Sequence, residues 1–478
     1  MLKRGFQPDF SDHVRAQVAH LQAGIGQPEA GTGQPHGGAG VRDLRDLLWS
    51  SIDNDTSRDL DQIEAAEALP NGATRVLIGI AGVAASVPKA SPIDMHAHQQ
   101  GTSVYTGVET FPMLPEELSE GLTSLLERED RLSVVIEFVV DQAAAVQSGG
   151  AYVALVRNHA QLTYSGVGPW LEGSAPPPVK VGASTELQAQ IKLQDETAQR
   201  LRSARFQIGA LNIDSIETMP VLTNGQVTGI KSVQKNRASQ LIEDLMIAAN
   251  GVIAGMLTNG GVSSIRRVVK TPERWDRIVE LARGLDEQLP DQPDSRALSA
   301  FLLRRKAIDP VHSPDLSLAV IKLMGPGEYV VQRPGDEEQG HFGLAVHHYT
   351  HSTAPNRRYA DLVTQRLVTA VLGSQPEPYG EGELEEIARN CTLMEDAARK
   401  VERDMRKRIA AVALSSRIGE AFRAVVTGVT PRGTFVRTLD PQADGMLVRG
   451  EQGLDVGDKI EVNLVGTDPV RGFIDFAP

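Results

Sequence analysis

Apolar positions along the chain change rhythm several times, and each change predicts an element. Phe10, Val14, Val18 and Leu21 recur at helical spacing and predict a short docking helix over 10–22. Residues 74–83 and 133–141 are Val- and Ile-rich runs that predict core strands, and 151–157 reads the same way. Between the first two lie Gly101–Tyr105 and Phe111–Leu118, where Pro115 followed by two acids suits the first turn of a helix. Tyr164–Leu171 reads as a turn into a short helix. Beyond Pro176–Pro178 helical spacing dominates: about 185–207, then 237–257, 272–287, 295–304, 358–372 and about 382–416. Thr223-Asn-Gly-Gln226 predicts a hairpin, because Asn-Gly suits the positive φ angles of a tight turn. The 237–257 helix is strongly apolar and is expected to be buried. Glu243 and Asn250 share one face of it, so Glu243 is expected to be buried and to meet an Arg or a backbone donor.

From Phe422 the rhythm shortens to brief strands and Gly turns, the pattern of a small OB-type β-barrel. Phe422, Phe435 and Arg437 there could form a platform for stacking bases, although at least one of the phenylalanines is expected in the barrel core. Residues 418–478 carry six Lys/Arg against nine Asp/Glu, so any nucleic-acid binding by the barrel is stacking-based rather than electrostatic. At the other end, Gly24–Gly40 is rich in Gly and Pro and reads as a linker. Its Gly-x-Gly pieces do not stand between a strand and a helix, which argues against a nucleotide loop.

Composition narrows the class. A chain of 478 residues suggests two to four domains, and 41 % hydrophobic content suits a globular protein. The net charge of −13 leaves only a local basic surface as a route to nucleic acid. Cys391 is the single cysteine, which excludes an internal disulfide and a Cys-based zinc site and fits a reducing cytoplasm. The first residues lack the apolar core of a signal peptide, and no uninterrupted apolar run approaches the roughly 18 residues that span a bilayer. No membrane association is expected.

Two stretches carry candidate chemistry. Ser51–Gln62 packs Asp53, Asp55, Asp59 and Asp61 between the apolar Leu47-Leu48-Trp49 and the strand at 74–83. Carboxylates so close repel one another, and are stable together either in water or around a hard cation such as Mg²⁺. The second stretch is His341–Arg366, where Arg357 and Arg358 open a helix with Asp361 four residues beyond Arg357. A guanidinium is a fork for phosphate. His347 and His351 have the spacing of a helical metal pair, but Thr353-Ala-Pro355 interrupts any helix there. Val401–Arg408 mixes carboxylates and bases on one predicted helix.

The order of these pieces, an Asp-rich loop, a Tyr-x-His-x-Thr-x-Pro-x-Arg-Arg-Tyr segment and a terminal barrel, resembles the ribonuclease II/ribonuclease R (RNB) family of exoribonucleases. Gly101–Tyr105, Met113-Leu-Pro115, Leu162-Thr-Tyr164 with Trp170, Asn236-Arg237 with Glu243, and His341-Phe-Gly-Leu344 match family text in order. The resemblance implies an α+β architecture. Residues 1–44 would be an N-terminal helix and linker, 45–410 an RNB catalytic domain of mixed sheet and many helices, and 418–478 an S1-type RNA-binding barrel. It implies a hydrolytic, Mg²⁺-dependent 3′→5′ exoribonuclease acting on single-stranded RNA 3′ ends and releasing nucleoside 5′-monophosphates, in the cytoplasm and as a monomer. Asp53, Asp59, Asp61 and Gln62 stand at the metal-site positions, with Asp59, Asp61 and Arg357 as catalytic residues. Tyr164 and Glu402 would hold the terminal nucleotide, with Arg358, Phe435 and Arg437 as further RNA contacts.

The chain departs from the family pattern at several positions. Gln62 stands for the usual Asp, Gly82 for Asp, Gln100 for Arg and Asn356 for Ile. About 45 residues precede the RNB region, too few for the two cold-shock domains usual in the family, which leads us to expect a more open RNA entrance. Two other readings compete: an RNB-like RNA-binding protein that has lost catalysis through Gln62, and a phosphodiesterase for a different small nucleic-acid substrate.

Overall fold

A computed structural model describes residues 1–24, 40–213, 217–431, 433–450 and 452–478, so the expected linker lies, apart from its two ends, outside the described residues. Its centre is a six-stranded mixed sheet in the order Arg42–Asp43, Val146–Thr163, Trp49–Asp53, Gln62–Ala68, Thr74–Ala81, Asp130–Val140. Val146–Thr163 is one strand of 18 residues, far longer than the 151–157 run predicts. It pairs antiparallel with Asp130–Val140 over its first part and parallel with Trp49–Asp53 over its last, so the sheet curls back on itself. Trp49, Ile52, Ile63, Val76, Leu77 and Ile78 are fully buried in this sheet. Each such side chain contributes on the order of 1.5–3 kcal/mol to folding.

Helices Thr185–Ile208 and Arg237–Asn259 pack against the sheet, and their starts are set by side-chain caps. Ser184 Oγ accepts from Leu187 N at 3.1 Å, and Asn236 forms a capping box with Ser239. Arg237–Asn259 is long and apolar enough to cross a membrane, but here it is a core helix that buries Leu241, Leu245, Ile253 and Leu257. Its buried acid is not the one expected. Glu243 keeps 34 % of its side chain exposed and pairs with Lys235 at 2.8 Å, whereas Asp244 is buried against Arg205 and Arg202. The helix turns Asp244, not Glu243, toward Thr185–Ile208, and that neighbour supplies both arginines. The Asn-Gly hairpin forms between Glu217–Thr223 and Gln226–Val233, with Asn224 and Gly225 at φ 52° and 76°.

Three helices, Trp275–Arg283, Ser295–Ile308 and Ser313–Met324, enclose a separate cluster around Ile278, Leu298, Phe301 and Val320. The third has no counterpart in the sequence expectations, and neither does the helix Pro92–Gln100. The 34-residue helix Glu381–Leu414 then leads into a closed five-stranded barrel. The barrel strands run in the order Ala421–Thr430, Gly433–Thr438, Asp444–Leu447, Phe473–Ala477, Lys459–Asp468 around Phe422, Val436, Leu464 and Phe476. Ala411 and Leu414 of the long helix join that core, which fixes the barrel against the body.

Candidate nuclease site

The acidic loop leaves the sheet at Asp53, the last residue of its strand, and re-enters it at Gln62. Asn54 N and Ser57 Oγ donate to Asp53 Oδ1 at 2.7 and 2.9 Å, and burial raises the Asp53 carboxyl above its usual range. Asp55 points outward and accepts from Ser165 Oγ at 2.6 Å. Ser124 Oγ holds the loop from beneath, accepting from Leu60 N at 3.0 Å and donating to the Arg58 carbonyl at 2.6 Å.

Asp61 is the deepest member, 1 % exposed. Its Oδ1 accepts from Asn356 N at 2.9 Å, while Oδ2 has no hydrogen-bond donor among the described residues and stands 3.4 Å from Arg357 Nε. Desolvation pushes its pKa up to about 8, with Arg357 opposing and Asp59 adding to the shift. The loop before helix Tyr359–Leu372 therefore delivers a backbone donor and a guanidinium to the same carboxylate. That loop is anchored: the Arg357 carbonyl accepts from Ser103 N at 2.9 Å and Thr102 Oγ1 at 3.0 Å, and Asn356 Oδ1 accepts from Thr123 Oγ1 at 2.6 Å.

Arg358, expected to contact phosphate, is committed elsewhere. Its Nε and Nη2 donate to Asp361 at 2.8 and 2.7 Å, and Asp361 also accepts from Ala354 N. Arg357 lies outside the helix, so its four-residue spacing to Asp361 never becomes a contact; Asp361 takes Arg358 instead. His351 turns onto Tyr329, whose hydroxyl lies 2.8 Å from Nδ1, while His347 is exposed, so the two histidines form no metal pair.

Tyr105, quoted in the sequence only as the end of a motif, is the residue that reasoning from sequence missed. Its hydroxyl donates to Asp59 Oδ2 at 2.7 Å and its backbone N–H to Glu402 Oε1 at 3.1 Å, while the residue stays 39 % exposed. It thus links the acidic loop to the long helix. Burial raises the Glu402 carboxyl above its usual range. Tyr164 opens the helix Tyr164–Leu171, half-buried, with its phenol raised by burial and by the charge of Asp53. Glu64 was also missed: it is fully buried, neither carboxylate oxygen has a donor among the described residues, and burial raises it well above the usual range. Gln62, 7 % exposed, lies two residues before it on the same face of the strand.

On the barrel, Phe435 is 38 % exposed and Phe422 is core, as one of the pair was expected to be. Arg437 is a correction. It is 9 % exposed and forms a two-pronged ion pair with Asp315 of helix Ser313–Met324, at 2.5 and 2.9 Å. That helix covers the end of its strand, so Arg437 ties the barrel to the body instead of facing a ligand.

An ion at the acidic loop fits the chemistry. The donors are oxygens, burial and to a smaller extent Asp59 raise the carboxyls of both Asp53 and Asp61, and the buried Asp61 Oδ2 has no donor among the described residues. Among the described residues no three Asp, Glu, His or Cys side chains converge as a ready-made cage, since Asp59 is turned to Tyr105 and Asp61 to Arg357.

Known proteins share the fold of this chain. Ribonuclease R of Thermotoga maritima is 31 % identical over 466 residues, covering 91 % of this chain and 64 % of that protein. Ribonuclease R of Escherichia coli is 29 % identical, covering 92 % of this chain and 57 % of that protein. The chain thus spans roughly three-fifths of the length of these relatives. The structure of Mycoplasma genitalium RNase R in complex with ribose-methylated single-stranded RNA superposes with a TM-score of 0.87 at 24 % identity, covering all of this chain and 76 % of that one. The profile of the RNase II-type exonuclease C-terminal S1 domain matches residues 420–478, and that of the RNB domain matches residues 41–374, well over half of the chain. On the strength of the RNB-domain match over more than half of its length, this chain belongs to the RNB family.

Proposed function

We propose that this protein is a 3′→5′ exoribonuclease that hydrolyses single-stranded RNA to nucleoside 5′-monophosphates with Mg²⁺, acting in the cytoplasm. The observation that carries the reading is Arg357 set 3.4 Å from the buried Asp61 at an oxygen-rich loop, with Tyr105 bridging Asp59 and Glu402 beside it. The RNA-bound relative supports RNA as substrate, and the single buried cysteine suits a reducing compartment. Mg²⁺ bound by Asp53, Asp59 and Asp61, with Gln62 beside them, would supply an activated water and offset phosphoryl charge. Water attacks the last phosphorus, the P–O3′ bond breaks, and the terminal nucleotide leaves with its 5′-phosphate. Arg357 presents a guanidinium, 43 % exposed and fixed at its backbone, to the charge that develops on the phosphoryl oxygens. Tyr105 and Tyr164 offer aromatic faces for the terminal bases, and Glu402 and Asp59 hold Tyr105 in place.

The test incubates a 3′-extended, 5′-labelled oligoribonucleotide with Mg²⁺ and wild type, Asp61→Asn or Arg357→Ala. Stepwise shortening by wild type alone is the expected result. Equal cleavage of the matching DNA sinks the RNA assignment. Binding without shortening by wild type favours the second reading, an RNB-like RNA-binding protein, for which the uncharged Gln62 is the specific motive.

A further inference from the structure

Behind Tyr105 lies the N-terminal segment. Phe6 is 1 % exposed and packs with Val104, Met394 and Ala398, the last of these one turn before Glu402 on the long helix. Its neighbour Gln7 is gripped through its backbone by one side chain: Gln7 N donates to Gln100 Oε1 at 3.2 Å and Gln100 Nε2 donates to the Gln7 carbonyl. Gln100, the residue standing where the family has Arg, is 2 % exposed. Next to it Gly101 adopts φ 66° so close to the long helix that a Cβ there would lie 2.7 Å from Met394 Cβ. The six consecutive residues Gln100–Tyr105 therefore run from the N-terminal segment to the site. Gln100 holds Gln7, Thr102 and Ser103 hold the Arg357 carbonyl, Val104 rests on Phe6, and Tyr105 reaches Asp59 and Glu402.

We infer that Phe6 and Gln7 are positioning residues for the RNA 3′ end, bracing Gln100–Tyr105 so that Tyr105 and Glu402 meet the terminal nucleotides in register. The inference rests on the exoribonuclease reading. Loosening the brace leaves the barrel and its grip on distant nucleotides intact, so short and long RNAs respond differently.

The experiment measures RNA binding by fluorescence anisotropy, and KM and kcat for shortening, on two substrates. One is an oligoribonucleotide that fills only the catalytic site, and the other is long enough to reach the barrel. Phe6→Ala is expected to weaken binding and raise KM of the short RNA about tenfold. The long RNA changes less than about twofold, held by the barrel, and Phe6→Leu restores most of the loss. Gln100→Leu, which removes both hydrogen bonds and keeps the side-chain volume, carries the same expectation if Phe6→Ala does not fold. Ile278→Ala, in the separate helical cluster, serves as the control for lost stability alone. Equal losses on both RNAs, the same loss in Ile278→Ala, or no loss in Phe6→Ala and Gln100→Leu beside an active wild type each overturn the inference and leave the proposed function standing. A wild type that neither binds nor shortens RNA overturns both.

Discussion

Replacing Asp61 by Asn removes a buried carboxyl that the fold keeps from ionising at a cost, so the metal-free variant is expected to be more stable than wild type. The Asp61 carboxyl is 1 % exposed, and its pKa rises from 3.8 to about 8, chiefly through desolvation. One unit corresponds to about 1.36 kcal/mol, so binding a proton at pH 7 costs the folded state roughly 4 kcal/mol relative to an ionised unfolded chain. The sign follows from the direction of the shift. A raised folded pKa means the full stability is present below 3.8 and is lost progressively as pH rises to about 8. Asn carries no such penalty and keeps an oxygen to accept from Asn356 N, but it loses the attraction of Arg357. Taking about half of the penalty as recovered leaves an expected gain of about 2 kcal/mol near pH 8 and almost none at pH 4.

Urea unfolding in the presence of a chelator, at pH 4, 6 and 8, measures this directly. The gap between Asp61→Asn and wild type should widen with pH and then level off above about 8. Added Mg²⁺ should narrow it by stabilising wild type alone. An Asn variant less stable than wild type at pH 8 without metal, or a gap independent of pH, would refute the reasoning.

Three other substitutions separate roles that the sequence had grouped. Arg437→Ala leaves Asp315 without its partner and should cost about 1–3 kcal/mol in urea unfolding. The salt dependence of RNA binding should stay unchanged, because the guanidinium is paired inside the protein; a flatter salt slope would return it to the RNA surface. Phe435→Ala should do the reverse, weakening long-RNA binding by about 1–3 kcal/mol with stability within about 0.5 kcal/mol, read by anisotropy and thermal melting; unchanged binding would count against a stacking role. Gln62→Asp adds a carboxylate on the strand face that carries Glu64, and should lower the Mg²⁺ and Mn²⁺ concentrations needed for half-maximal binding and activity. An unchanged metal titration would show that Gln62 lies outside the ion's coordination.

The fold was legible where elements are long and periodic. Thr185–Ile208, Arg237–Asn259 and Glu381–Leu414 lie within two or three residues of their expected bounds, and the Asn-Gly turn forms the hairpin it predicts. Contacts between distant segments were not legible. Tyr105 lies 46 residues from Asp59 and 297 from Glu402, so no local spacing marks it as part of the site. The error at Arg437 has a similar origin. Phe435 and Arg437 alternate onto one face of their strand, as a platform requires. The unexpected helix Ser313–Met324 covers Arg437 and leaves Phe435 open, and no pattern within the barrel could reveal it. Signals for Pro92–Gln100 were present but unread: Ser91 caps Asp94 N and Pro92 occupies the first turn.

The neighbouring arginines show how the fold commits one charge to an internal pair and leaves the next one lightly held. Arg358 begins the helix Tyr359–Leu372, where a residue three positions on faces it; Asp361, 0 % exposed, meets its guanidinium with two hydrogen bonds and also holds Ala354 N. That clamp shapes the loop, and its donors are used within the protein. Arg357, one residue earlier, lies in the loop itself. Its backbone is held at N by the Ala354 carbonyl and at its own carbonyl by Thr102 and Ser103. Among the described residues its side chain makes only the 3.4 Å approach to Asp61, and it remains 43 % exposed. A rigid backbone under a lightly held guanidinium suits the charge stabilisation proposed for it, since the charge would be in place before a phosphate arrived and little would have to be broken to receive it. Asp61 accepts from Asn356 N in the same loop, so the acid and the arginine are fixed together, and a shift of that loop moves both.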